Sequence, residues 1–62
     1  MYEYDVEIGQ KRKWLQSGRV FIVKSEVSGT SFLVCQYEDG SEEDHDSYII
    51  NCKSYKLEEE SQ

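Results

Sequence analysis

Proline is absent from this sequence, and histidine, tryptophan and methionine occur once each. With no proline to break a helix, the lack of any apolar stretch of helical period and useful length is informative: the chain reads as strands. The two cysteines, Cys35 and Cys52, form no C-x-x-C pair, and His45 is the only imidazole that could join them. A structural zinc site is usually built from four such ligands, so no metal is expected. Two cysteines alone also do not make the disulfide framework of a small secreted domain. No stretch approaches the roughly 20 apolar residues of a membrane span. The opening Met1-Tyr2-Glu3-Tyr4-Asp5 has neither the basic region nor the apolar run of a secretory signal. These absences point to a soluble cytoplasmic protein with free thiols, bound to no membrane.

Catalytic equipment is equally sparse. One histidine and two unpaired cysteines with no nucleophile motif leave no triad, and Cys35 alternates within a strand as a small core residue would. The carboxylates cluster in a solvated place with nothing to drive their pKa values apart. Glu43, Asp44, His45 and Asp46 stand side by side, but strand alternation sends neighbours to opposite faces, and the glycine-bearing geometry of a calcium loop is missing. The expectation is a protein that is not an enzyme, uses no cofactor and binds no metal.

What the sequence does contain is charge of one sign and aromatic rings. Its 62 residues carry 13 acids against seven Lys and Arg, a net charge of −6. Such a surface repels nucleic-acid phosphates and steers basic proteins inward, so a basic protein or peptide is the expected partner and direct nucleic-acid binding is not. Five Tyr, two Phe and one Trp supply large pieces for a core that a chain of this length can only make thin.

Along the chain, Tyr2, Tyr4, Val6 and Ile8 alternate with Glu3, Asp5 and Glu7, the pattern of a half-buried strand that ends at Gly9. Gln10 to Gly18 reads as a basic loop around Trp14. Arg19 to Val27 is rich in β-branched and aromatic residues and reads as a strand. Ser28-Gly29-Thr30 is turn material. Ser31 to Tyr37 follows as a strand, with Phe32, Val34 and Gln36 on one face and Leu33, Cys35 and Tyr37 on the other. Asp39-Gly40 predicts a tight hairpin of type I′. The return strand, Ser41 to about Tyr48, is almost wholly polar and suits an edge. Tyr48-Ile49-Ile50 re-enters the core through a short helical turn, and Asn51 to Leu57 gives a last strand with Cys52, Tyr55 and Leu57 as its apolar members. Glu58 to Gln62 is expected to be a disordered acidic tail. The whole is an all-β domain over residues 1–57: five short strands in a small, strongly bent antiparallel barrel.

Trp14-x6-Phe21, then Phe32 to Glu43 with its Tyr37 and Asp39-Gly40 turn, then Tyr48-Ile49-Ile50, resembles the Tudor-like family of small barrels over roughly residues 11–50. The resemblance implies a binding module. Many members hold methylated Lys or Arg in an aromatic cage by cation–π attraction, assisted by nearby acids. Position by position, Trp14, Phe21 and Tyr37 would be the cage walls, and Asp39 or Glu42 the polar group at the rim. The turn after Tyr37 lacks the further aromatic and the Asn that cage-bearing members often place there. A plain charge-guided interface is therefore expected ahead of a methylation reader.

The candidate partner-binding residues are Trp14, Phe21, Tyr37, Asp39, Glu42, Glu43, Asp44 and Asp46. Trp14 either caps the core or anchors an interface. The acidic hairpin is either a solvated edge or a docking surface for a basic partner. On a strand, Glu42, Asp44 and Asp46 share one face, while Glu43 and His45 share the other. Lys11-Arg12-Lys13 reads as a solvated loop that balances the acids. Two other functions fit the composition. One is a small acidic nucleic-acid mimic of the phage or mobile-element kind, which inhibits a host nucleic-acid-binding protein and wants Glu3, Asp5 and Glu7 beside the hairpin. The other is an assembly subunit that forms a weak homo-oligomer.

Overall fold

The computed structural model describes residues 6–57, which form five antiparallel strands in one sheet and a single short helix. The strands are β1 (Lys11–Trp14), β2 (Val20–Glu26), β3 (Phe32–Tyr37), β4 (Glu42–Asp46) and β5 (Ser54–Lys56), with α1 (Ser47–Lys53) between the last two. Their order across the sheet is β4-β3-β2-β1-β5. Among the described residues the sheet is not closed, with β4 and β5 at its two edges, so the five antiparallel strands expected from sequence are present without showing a barrel. Residues 2–5 of the expected first strand and the expected tail, 58–62, lie outside the described residues. Of the rest of that strand, Val6 is buried in the core, Ile8 is exposed, and a turn closed by the Gln10 N–H to the Glu7 carbonyl precedes β1.

Alternation builds the core. In β2, Phe21 and Val23 point inward, and in β3 Leu33, Cys35 and Tyr37 do so. Register pairs Phe21 with Tyr37 and Val23 with Cys35, which stacks these side chains into one inner layer. A register shift between Val23 and Ser25 bends β2. Val6 and Ile50 complete the buried cluster, with Trp14 packed against it.

Three local readings are corrected. The basic segment around Trp14 is a strand, β1, paired with both β2 and β5. Arg12 on that strand is only 3 % exposed and donates to the Ser54 hydroxyl at 2.8 Å, the Ser54 carbonyl at 3.0 Å and the Gln10 side chain at 2.8 Å. Asn51 to Lys53 belong to α1, because helical spacing carries Ser47 and Ile50 to one buried face and leaves Cys52 exposed. The Asp39-Gly40 hairpin has positive φ at Gly40 alone, so it is not the type I′ turn. The Gly40 N–H bonds the Tyr37 carbonyl and the Tyr37 N–H bonds that of Ser41, giving a three-residue loop with glycine in the left-handed position. This arrangement spares Asp39 the steric penalty of positive φ.

Curling brings distant strands together. β1 and β4 stand three strand spacings apart, roughly 14 Å in a flat sheet. Yet the rings of Trp14 on β1 and His45 on β4 meet at 4.8 Å between centroids. The inner face is therefore strongly concave, and α1 links the two edges.

Candidate functional site

Trp14, Phe21 and Tyr37 converge at one end of the concave face. Trp14 stacks on Phe21 at 4.6 Å, and Phe21 meets Tyr37 edge-on at 6.1 Å. They do not form an open cage. Phe21 is 1 % exposed and offers no ring face to a partner, and Tyr37 is 5 % exposed with the Arg19 guanidinium lying over its ring. Trp14 is half-buried, packing on the core while its outer side borders an open groove. Leu15, Ser17, His45, Ile49 and Lys53 also line that groove, which encloses about 710 Å³.

A chain of hydrogen bonds crosses this end of the sheet. The Trp14 indole Nε1–H donates to the Tyr37 hydroxyl oxygen at 2.7 Å, and the Tyr37 hydroxyl donates to Glu43 Oε1 at 2.8 Å. His45 Nε2 lies 3.0 Å from the same carboxylate oxygen. The direction follows from chemistry: indole can only donate, so the phenol accepts there and its proton goes to the carboxylate. An ionised Glu43 can only accept, which places a proton on His45 Nε2. The bonds from His45 and Tyr37 hold the Glu43 carboxyl below its ordinary range. Burial raises the Tyr37 phenol; the Trp14 bond opposes this and the Glu43 carboxylate adds to it.

A cation already lies at the edge of the site. The Arg19 guanidinium sits 3.8 Å from the Tyr37 ring centroid, and its far nitrogen is 4.0 Å from Asp39. Asp39 also accepts from the Ser41 hydroxyl and N–H, which with Arg19 hold its carboxyl below the usual range.

The other candidate acids go elsewhere. Register sets Cys35 against Glu43 and Leu33 against His45, so these two face inward. Glu42, Asp44 and Asp46 face outward, as alternation predicts. Glu42 pairs with Lys24 at 2.6 Å, and Asp46 caps α1 by accepting from the Tyr48 N–H at 3.0 Å. The sheet thus brings Trp14, Tyr37, Asp39 and Glu43 to one place and separates Glu42, Asp44 and Asp46 from them. Sequence reading missed Arg19 and Arg12. The period-two pattern Lys11-Arg12-Lys13-Trp14 was the available signal, with Arg12 and Trp14 turned inward together.

Cys35, behind Glu43, is buried, and burial with the Glu43 and Asp44 charges pushes its thiol up to about 12. It stays protonated and unreactive near neutrality. No group of three or more His, Cys, Asp or Glu that could hold a metal ion occurs among the described residues. None of their helices is long and apolar enough to cross a membrane.

Fold and site together define a small antiparallel-sheet protein with a polar relay across an aromatic cluster. No protein-family model, curated protein or solved structure matches the chain.

Proposed function

We propose that this chain is a non-catalytic interaction module of Tudor-like barrel form, working in the cytoplasm, that binds a basic protein or peptide at the aromatic end of its sheet. The observation that carries this reading is the seat of Arg19. A guanidinium rests against the Tyr37 ring with the Asp39 carboxylate behind it. An aromatic face backed by an acid is what cation recognition requires. Arg19 is itself half-exposed, so a partner's Arg or Lys can compete for the place. Glu43 supplies a second carboxylate nearby, and the groove beside Trp14 and Leu15, the latter 63 % exposed, accepts an apolar neighbour of the partner's cation.

The test uses Trp14, the only tryptophan, as reporter. Peptides carrying Arg or Lys are titrated into the full chain while its fluorescence is followed. A saturable change is expected that weakens as salt rises. Arg19→Ala, which vacates the ring, should tighten binding, and Asp39→Asn should loosen it. No change with any basic peptide, in the parent chain or in Arg19→Ala, overturns the reading.

A further inference from the structure

His45 stands where the relay meets the groove, and the proposed function gives it no task. Its Nε2 lies 3.0 Å from Glu43 Oε1. Its ring meets the Trp14 indole edge-on, at 4.8 Å between centroids and 64° between planes. It also lines the groove, with Ser17, Ile49 and Lys53. The side chain is 31 % exposed, so water and protons reach it. It is the only histidine of the sequence, and imidazole is the side chain that ordinarily changes charge between about pH 5 and 8.

The groups around His45 decide what such a change does. On β4, Glu43 shares its face, while Asp44 and Asp46 point to the other. β1 presents the neutral indole; Arg12, the inward cation of that strand, is bonded to Ser54 and Gln10. On β3, Leu33 lies opposite His45, Cys35 lies behind Glu43, and the Tyr37 hydroxyl is bonded to Glu43. β2 brings apolar Phe21 and Val23 to this face, and the charge of Arg19, just before it, reaches Glu43. α1 brings Lys53 to the same groove. His45 therefore holds a carboxylate on one side and shares a groove with an ammonium on the other. The bond to Glu43 is made in both charge states, because neutral imidazole with its proton on Nε2 donates to the carboxylate and so does imidazolium. Protonation thus alters the charge of the site and keeps this hydrogen bond. With His45 neutral, the Glu43 charge is free to draw a cation. With His45 protonated, the two charges cancel, and a second positive charge joins Lys53 at the groove.

We propose that His45 is a pH switch on the partner site: when neutral it leaves Glu43 to attract a partner's cation, and when protonated it takes that cation's place and releases the partner. This regulation rests on the reading of this end of the sheet as a site for basic peptides. The partner is held near neutral pH and let go on acidification. Linkage makes the effect reciprocal, so a cation bound beside Glu43 expels the proton from His45. One unit charge added a few ångströms away at a wet surface weakens binding roughly fivefold or more.

Two measurements test the switch. In the free chain, Trp14 emission and the ring-proton NMR signals of His45 are followed from about pH 5 to 8. An imidazolium in contact with an indole quenches its emission more than neutral imidazole does, because the cation accepts charge from the excited ring. The emission should fall in step with protonation of His45. His45→Gln, whose amide can still donate to Glu43, should abolish the change. Calorimetry then follows a blocked peptide of alternating Arg and Leu binding at about pH 7.5 and about pH 5.5, either side of the ordinary imidazole midpoint. The peptide has no group that titrates there, and Glu43 and Asp39, held below the ordinary carboxylate range, stay ionised at both. The parent chain should bind roughly fivefold or more weakly at the lower pH, and His45→Gln alike at both. Circular dichroism verifies that the variant folds; if it does not, the two titrations of the parent chain carry the test. Emission that does not follow the His45 signals, equal affinity at the two pH values, or a pH effect that His45→Gln keeps overturns the switch and leaves the interface standing. A peptide that binds at neither pH, to the parent chain or to Arg19→Ala, overturns the interface and the switch together.

Discussion

The Tyr37 hydroxyl joins three strands through one oxygen, taking the indole proton of β1 and giving its own to Glu43 of β4. Tyr37→Phe keeps the ring against Phe21 and Arg19 but leaves the indole N–H and the carboxylate without this partner. A loss of about 1–2 kcal/mol in urea unfolding is expected, with a shifted Trp14 emission. Arg12 is a second such residue. Its fork spans Ser54 and Ile50, 42 and 38 residues away. Lysine cannot reproduce that fork, so Arg12→Lys should cost about 2 kcal/mol or more by the same measurement. A change under about 0.5 kcal/mol, the range typical of surface substitutions, would mean that the buried guanidinium contributes little. The ring positions Phe21 and Tyr37 were readable from β-strand alternation. Arg12 was not, because a charged side chain is buried only where carbonyls and hydroxyls converge on it. Here those groups belong to α1 and β5, at the far end of the chain.

Elements differ in how plainly local sequence declared them. β2 and β3 carry enough β-branched and aromatic residues to be recognised alone, and Asp39-Gly40 announces the hairpin between β3 and β4 even though its turn type differs. β1 has four residues, three of them cationic, and gains its strand character from pairing on both sides. α1 has seven residues, too short for intrinsic propensity to form it. It is held by Ile50 in the core, by the Asp46 cap and by Lys53 in its last turn. The cap is a specific test: Asp46→Ala should lower stability by about 1 kcal/mol, and Asp46→Asn, which keeps the accepting oxygen, by less. Equal losses in thermal melts would show that Asp46 acts by charge and not as a cap.

For the molecule as a whole, the shifted groups set two pH limits. Glu43 and Asp39 have carboxyls below their ordinary range, so their contribution is complete above that range and disappears as pH falls through the lowered values. Cys35 and Tyr37 are raised, so their contribution is complete below their ordinary values and is lost as pH rises; for Cys35 that window runs from 9.0 to about 12. Unfolding midpoints should therefore be flat through neutrality and fall on both sides. Cys35→Ala should remove part of the alkaline fall at some cost in overall stability, and an unchanged alkaline limb in that variant would contradict the assignment. By itself the sequence determined the strands from residue 20 to 37, the hairpin after them, and the sign and crowding of the charge. These rest on local alternation and turn chemistry, which neighbouring residues decide between them. Only the tertiary structure decided that the sheet curls without closing. It alone buried Arg12, brought His45 to Trp14, and gave Glu43 to the relay while leaving Glu42 on the outer face with Lys24 and Gln36, and Asp44 beside Val34. Each of those outcomes depends on which strands become neighbours and how far the sheet bends, and no short stretch of chain carries that information.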